Sequence, residues 1–449
     1  TDELRRLLKE FEQELAVLKG RVDGLEARVG ELEATQFSTT TKLVGQATMV
    51  VGANSYGGEK ALVKAAENQS GAAVFNYDLR LDLNTSFTGE DLLKTRLRAG
   101  NFGGSPFGGG GYVGLDAMEV AFGDEGDEDE VNIDRLYYQF PVGAEVTVTA
   151  GAKVRQDDML AVWPSAYPAD TIIDFFTYAG APGAYSLTLG GGAGIWWQQD
   201  NCDNAENCGG GEWSISASYV SANADNANPN RQDRPVVGND PTGGIGTDAA
   251  AATTTAQIAF TDEQWGIAAV YSYSSGDNGA GLYAGNATPL AVKYLDYGTQ
   301  NSFGLSGYWM PEESGWFPSI SAGWGISSTN PNEEHENILD SVTTQSWYVG
   351  LMWDDAFIAG NTLGVAGGQP TFVTDLDLEA GSDTVEDANY AFELWYKFQV
   401  TDNISVTPAI YYLSRPLGEL TDGGGPTGLG RGDDTFNNFG GLVKTTFRF

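Results

Sequence analysis

The chain has 449 residues, a formal net charge of −37, and 60 Gly, 20 Tyr, 21 Phe and 11 Trp. Such a charge excludes nucleic acid as a partner, because phosphate binding needs a basic face; it suits a chain exposed outside the cytoplasm or one that handles cations. No stretch approaches about 18 apolar residues, so no helix of this sequence spans a bilayer. What is left is a soluble protein or a closed barrel, the other structure that satisfies its backbone in lipid.

Thr1 is not followed by a basic segment and an apolar run, so an export signal, if there is one, has been removed or lies upstream. Leu4, Leu8, Phe11, Leu15, Leu18, Val22, Leu25, Val29 and Leu32 are spaced alternately by four and three, with Glu, Lys and Arg between them. This is an a/d seam sustained for about four heptads, the pattern of a coiled coil. A two-in-seven stripe is narrow for a helix docked on its own domain. Gly20, Gly24 and Gly30 weaken the helix by up to ~1 kcal/mol each, so it needs partner strands. Val and Leu at a with Leu at d allow two or three strands. We expect residues 1–37 to form this helix and 38–449 a second domain, joined by the Thr-rich hinge Ser38 to Lys42.

After the hinge the period changes to two. Phe75, Tyr77, Leu79, Leu81 and Leu83 oppose Asn76, Asp78, Arg80, Asp82 and Asn84; Leu93, Thr95, Leu97 and Ala99 oppose Lys94, Arg96 and Arg98. Val146, Val148, Ala150, Ala152 and Val154 likewise oppose Thr147, Thr149, Lys153 and Arg155. The pattern predicts an all-β domain with sixteen strands: 42–51, 73–86, 91–100, 131–140, 145–155, 184–197, 213–221, 254–261, 265–274, 301–310, 317–327, 345–353, 362–369, 389–400, 404–413 and 437–449. Anything from about 14 to 18 fits an even-numbered barrel. Short turns at Thr88 to Glu90, Pro141 to Ala144, Thr261 to Gln264, Pro311 to Trp316 and Thr401 to Asn403 alternate with connections of about 20 to 30 residues, as in bacterial outer-membrane barrels. The parity requires the segment holding Cys202 and Cys208 to count as a turn. Trp213, Trp265, Trp309, Trp316, Trp347 and Trp353 sit near strand ends, where aromatic girdles belong, although Trp324 and Trp395 lie mid-strand.

A Lys or Arg facing lipid at the midplane costs ~2–4 kcal/mol, so the charged faces must line a lumen. Barrels of about 16 strands leave that lumen open to water. Arg80, Lys94, Arg96, Arg98, Arg135, Lys153 and Arg155 fall on neighbouring strands, and Lys444 and Arg448 on the last strand, which closes beside the first. Together they predict one basic wall, a common device for selecting solutes. The alternative is a set of ordinary solvated residues paired with Asp78, Asp82 and Glu145. The connection Gln156 to Gly183 carries Asp157, Asp158, Asp170 and Asp174 among Trp163, Tyr167, Ile172, Ile173, Phe175 and Phe176. A loop this long and apolar is rarely left in solvent, so we expect it to fold inward and narrow the pore. Cys202 and Cys208, the only cysteines, suggest a local disulfide in an oxidising compartment, with two free thiols as the alternative. With no second ligand pair we expect no metal, and nothing calls for a cofactor. Asp124 to Glu130 holds six acids in seven residues and reads as an exposed loop.

The last strand, Phe439-Gly-Gly-Leu-Val-Lys-Thr-Thr-Phe-Arg-Phe449, resembles the C-terminal strand that bacterial outer-membrane proteins present to their barrel-assembly machinery. Together with the seam Leu4 to Leu32 and Ile404-Ser-Val-Thr-Pro-Ala-Ile-Tyr-Tyr412, the chain is similar to the major outer-membrane porins of cyanobacteria. These are carbohydrate-selective porins, some named for iron uptake. The resemblance implies an outer-membrane trimer for passive diffusion of small hydrophilic solutes, sugars or inorganic ions, with its N-terminal helix in the periplasm. It also implies an S-layer homology domain ahead of Thr1 that ties the membrane to the cell wall.

Other classes fit less well. A barrel hydrolase needs Ser and His together, and the only His is His335, in a loop beside Asn332, Glu333 and Glu334; we expect no enzyme. A plugged receptor needs a folded domain before the first strand, and a trimeric adhesin supplies few strands per chain. The main alternative is a soluble, coiled-coil-bearing β-sandwich or lectin-like binding protein.

Overall fold

The computed structural model describes residues 40–123, 128–168, 171–200, 210–229, 242–275, 284–295, 297–313, 315–333, 335–379, 381–383, 385–422 and 435–449. The proposed coiled-coil seam, Asp170, Cys202 and Cys208 lie outside these residues.

Seventeen strands follow in order: β1 Thr41–Gly58, β2 Val74–Thr85, β3 Leu92–Gly100, β4 Asn132–Val142, β5 Val146–Arg155, β6 Leu189–Gln198, β7 Glu212–Ser221, β8 Ala252–Thr261, β9 Trp265–Ser275, β10 Gly298–Trp309, β11 Ser319–Pro331, β12 Leu339–Asp354, β13 Thr362–Leu378, β14 Gly381–Asp383, β15 Tyr390–Thr401, β16 Ile404–Ser414 and β17 Phe436–Arg448. Each pairs antiparallel with its neighbours, and β1 pairs with both β2 and β17, which closes the ring. Among the described residues the three-residue β14 pairs only with the end of β13. Without it, sixteen staves remain, one for each strand expected from the alternation. The connection between β6 and β7 falls on the short-turn side, as the parity demanded.

Alternation decides which way each face looks. Phe75, Ile215, Ile267, Phe303, Leu394 and Val443 are exposed, while their neighbours Asn76, Ser216, Ala268, Ser302, Glu393 and Lys444 are buried. The apolar faces are thus turned outward rather than packed on a second sheet, which rules out the soluble sandwich. Among the described residues no helix is long and apolar enough to cross a membrane, which says nothing of strands.

An apolar core does exist, inside the ring. Phe107, Val113, Leu115 and Met118 from the connection 101–131, with Ile172, Phe175 and Phe176 from 156–188, pack against Val50, Tyr348, Trp395, Tyr411 and Phe436 of the inner wall. Leu62 and Ala66 of α1 (Lys60–Ser70) complete it at the long-loop end. A second small core forms where α2 (Pro289–Leu295) lies on the extended ends of β12 and β13.

Two bulges change the expected faces. In β4 the pairing with β3 slips between Arg96 and Leu97, so the consecutive residues Asp134 and Arg135 are both buried. In β5 the pairing with β6 slips between Gly151 and Val154. Val154 is consequently buried beside Tyr137, Met159 and Val220, and Lys153 is exposed. An inserted residue reverses the two-residue alternation beyond it.

Candidate functional site: the charged passage

The inner wall has two chemically different halves. From β7 to β12 it carries small hydroxyls, and the connection 156–188 is fastened across them. Ser272 donates to the Ala184 carbonyl (2.6 Å), Ser306 to Ala179 (2.6 Å) and Ser346 to Gly180 (2.8 Å). Ser321 accepts from the Ala166 and Tyr167 amides at 2.8 and 3.0 Å. Gln156 Nε2 reaches the Ala184 carbonyl (2.8 Å) and Thr255 (2.5 Å). Gly323 of β11 makes room: a Cβ there would sit 1.9 Å from the Ala179 carbonyl oxygen. Gly180 faces it with φ of 77°, a conformation glycine adopts without steric cost.

The half from β2 to β5 carries the ions. Arg80 and Arg98 share Asp78, both at 2.7 Å. Arg80 also lies 3.4 Å from Glu119, in the connection 101–131. Lys94 (3.0 Å) and Arg96 (2.6 Å) share Asp82. Arg135 reaches Asp134 (3.0 Å) and Asp158 (2.7 Å), and Arg155 reaches Asp157 (2.5 Å). Six cations therefore meet six carboxylates, and pairing is what lets such charges sit away from bulk water. Asp158 is raised above the usual carboxylate range by burial and by its neighbour Asp157. Asp157, against its own burial, is held low by Arg155.

Between this ladder and the inserted loop lies a cavity of about 460 Å³, lined by Arg98, Arg135, Arg155, Asp134, Asp157 and Glu119 on one side and Trp163, Asp174, Thr177 and Tyr178 on the other. Arg98 also stacks 4.5 Å over the Phe122 ring. The arrangement offers donors and acceptors in close alternation beside aromatic rings, with no net charge in the ladder.

A closed sixteen-stave barrel with lipid-facing apolar residues and an inward-folded loop is a porin architecture. The model of the OprB family, carbohydrate-selective porins, matches residues 2–449. The chain belongs to this family. It is a porin of the outer membrane, a channel for small hydrophilic solutes. It is 31% identical to an uncharacterized protein of Nostoc sp., over 99% of this chain and 72% of the relative. With one from Synechocystis sp. it shares 29%, over 92% and 72%. Among solved structures it resembles Pseudomonas putida OprB at high pH, with a TM-score of 0.52 and 12% identity, covering 91% of this chain and 94% of that one.

Of the basic residues singled out in the porin sequence, Arg80, Lys94, Arg96, Arg98, Arg135 and Arg155 come together in the ladder. Lys153 does not: the β5 bulge leaves it exposed and without an ion pair among the described residues. Lys444 is buried elsewhere, donating to the Thr171 carbonyl at 3.0 Å, and Arg448 is exposed near Gln46 (3.4 Å). Asp157 and Asp158 pair with arginines. Asp174 lines the cavity from the loop side, 3.5 Å from Asn286. Glu145 is not a partner of the wall; it accepts from Trp197 Nε1 at 2.9 Å.

Glu119, Asp134 and the whole inward fold of 101–123 were not expected from the sequence. Asp116 at its tip is fully buried and accepts from Asn54 (2.8 Å) and Asn438 (3.0 Å). Burial raises its carboxyl well above the usual range, and those two hydrogen bonds offset only part of the rise. The signal was present, since Phe102, Phe107, Val113, Leu115 and Met118 make this connection as apolar as 156–188.

Proposed function

We propose that the passage conducts small neutral polyhydroxylated solutes, with the ladder Arg80, Lys94, Arg96, Arg98, Arg135 and Arg155 as its lining and the segment holding Asp157, Asp158 and Asp174 as its constriction. One observation carries this: each guanidinium at the cavity is already matched by a carboxylate, and Trp163 and Tyr178 lie opposite. A charge-balanced wall gives little selection by sign, whereas alternating donors and acceptors beside rings suit hydroxyl groups and apolar sugar faces. The family's description as carbohydrate-selective supports the same solute class. Proteoliposome swelling in isotonic mono-, di- and trisaccharides tests it. Swelling with monosaccharides that falls with size is the expected result; salt conductance without sugar-driven swelling would replace this reading with an inorganic-ion channel.

We further propose that the protein is a homo-oligomer, as a trimer, held by the seam Leu4 to Leu32 in the periplasm. β1 begins at the end where Phe449 lies, beside the short turns, which supports a helix leaving on that side. Division into residues 1–37 and 38–449, a bond between Cys202 and Cys208, recognition of the last strand by assembly machinery and a cell-wall link ahead of Thr1 belong to the same reading. Crosslinking of the full chain, compared with one lacking residues 1–37, tests the oligomer.

A further inference from the structure

We propose that Glu393, which is not among the residues lining the passage, is the positioning residue that fixes the passage width. It projects inward from β15 and is 2% exposed. Four donors converge on its carboxylate: Tyr167 Oη (2.8 Å), Thr171 Oγ1 (2.6 Å) and Trp395 Nε1 (3.2 Å) on Oε1, and the Ile173 amide (2.8 Å) on Oε2. Trp395 Nε1 also donates to Tyr167 Oη (2.8 Å), and Lys444 from β17 holds the Thr171 carbonyl (3.0 Å). Three of the four donors belong to the inserted segment, more than 200 residues away in sequence.

The remaining fastenings along the hydroxyl half are neutral hydrogen bonds. Those to a carboxylate are about twice as strong, so Glu393 and Lys444 dominate the hold at this end. Their grip ends at Ile173, and the next residue, Asp174, faces the passage, followed by Thr177 and Tyr178. Consecutive Cα atoms are about 3.8 Å apart, so there is no slack between anchor and rim. Fixing 171–173 fixes the loop side of the passage; releasing it lets Asp174 and Tyr178 move.

This rests on the passage running between the segment and the ladder. The test is single-channel recording of the full chain in planar bilayers, with proteoliposome swelling for the size limit. E393Q keeps the shape and removes the charge. It should shift the ratio of anchored to released loop by roughly 30-fold, the equivalent of about 2 kcal/mol. The readout is more time in states above the wild-type conductance, and swelling with larger sugars. E393D should restore part of the wild-type behaviour. If E393Q does not fold, Y167F combined with T171V removes two of the four donors and leaves the wall intact, with the same direction of change expected. Wild-type conductance levels and size limit in either folded variant overturn the proposal, as does a change in ion selectivity alone. D157A is the control. If it alters conductance while E393Q does not, the anchor is wrong and the passage right; if neither alters it, the passage reading itself fails.

Discussion

Replacing Arg96 and Arg98 with Ala removes two cations from a ladder whose charges balance. Asp82 keeps only Lys94, and Asp78 keeps only Arg80, which it already shares with Glu119. The passage therefore becomes more negative by two charges. A monovalent ion passing about 5 Å from one such charge in water feels ~0.8 kcal/mol. Cation and anion shift in opposite directions, so their ratio changes by about 1.7 kcal/mol per charge before screening. At 0.1 M salt, where the Debye length is about 10 Å, roughly 1 kcal/mol survives, a near-fivefold change; at 1 M, with about 3 Å, the effect falls below twofold. With both charges removed, the double variant should thus favour cations by about 25-fold at low salt and only about threefold at high salt. Reversal potentials across a tenfold salt gradient, measured at both mean concentrations, give the ratio. An unchanged potential at low salt, or a shift equal at both concentrations, would show that ions do not pass beside this wall.

Other outcomes follow from the packing. G323A places a methyl against the Ala179 carbonyl oxygen, 1.9 Å from where Cβ must sit; overpacking of this kind costs ~1–3 kcal/mol. The loop should lift, lowering the urea midpoint and raising conductance, and an unaltered channel would show that the space left by Gly323 is not needed. Asp387 ties three outer segments together, accepting from Thr288 Oγ1 (2.5 Å) and the amides of Val373 (2.8 Å) and Glu419 (2.9 Å). Burial pushes its carboxyl up to about 6, and the hydrogen bonds do not cancel that rise. Because this lies above the ordinary 3.8, its support for the fold is complete below about pH 4 and is lost as pH rises through 6, on the order of 3 kcal/mol in all. Protection from hydrogen exchange in 284–295, taken relative to the intrinsic base-catalysed rate at each pH, should be greater at pH 5 than at pH 8, and D387N should abolish the difference; equal protection in the wild type contradicts the assignment. D116N should hold 101–123 in place independently of pH, since an amide can still accept from Asn54 and Asn438; proteolysis of that segment at pH 5 and 8 checks it.

The barrel was legible because membrane strands obey a local rule. Each of the sixteen staves announces itself by its own alternation, and the cost of an ionised side chain in lipid decides which face looks inward. For the same reason the neighbourhood of Arg80, Arg96 and Arg98 was legible: they sit on adjacent strands joined by the short turn 86–91. The inward fold of 156–188 was foreseeable from its apolar content, and 101–123 would have yielded to the same argument.

The alternation by itself determined strand number, facing and the existence of a charged lumen. Only the tertiary structure decided how the lumen is divided. Bulges in β4 and β5 exchange inside for outside at Asp134 and Lys153, because a single inserted residue shifts a period of two and leaves no mark in composition. Lys444 reads as a lumen charge like the rest, yet together with Glu393 it holds a loop more than 200 residues away. Such contacts form across the barrel's interior, between residues that only the closed ring brings within hydrogen-bond reach.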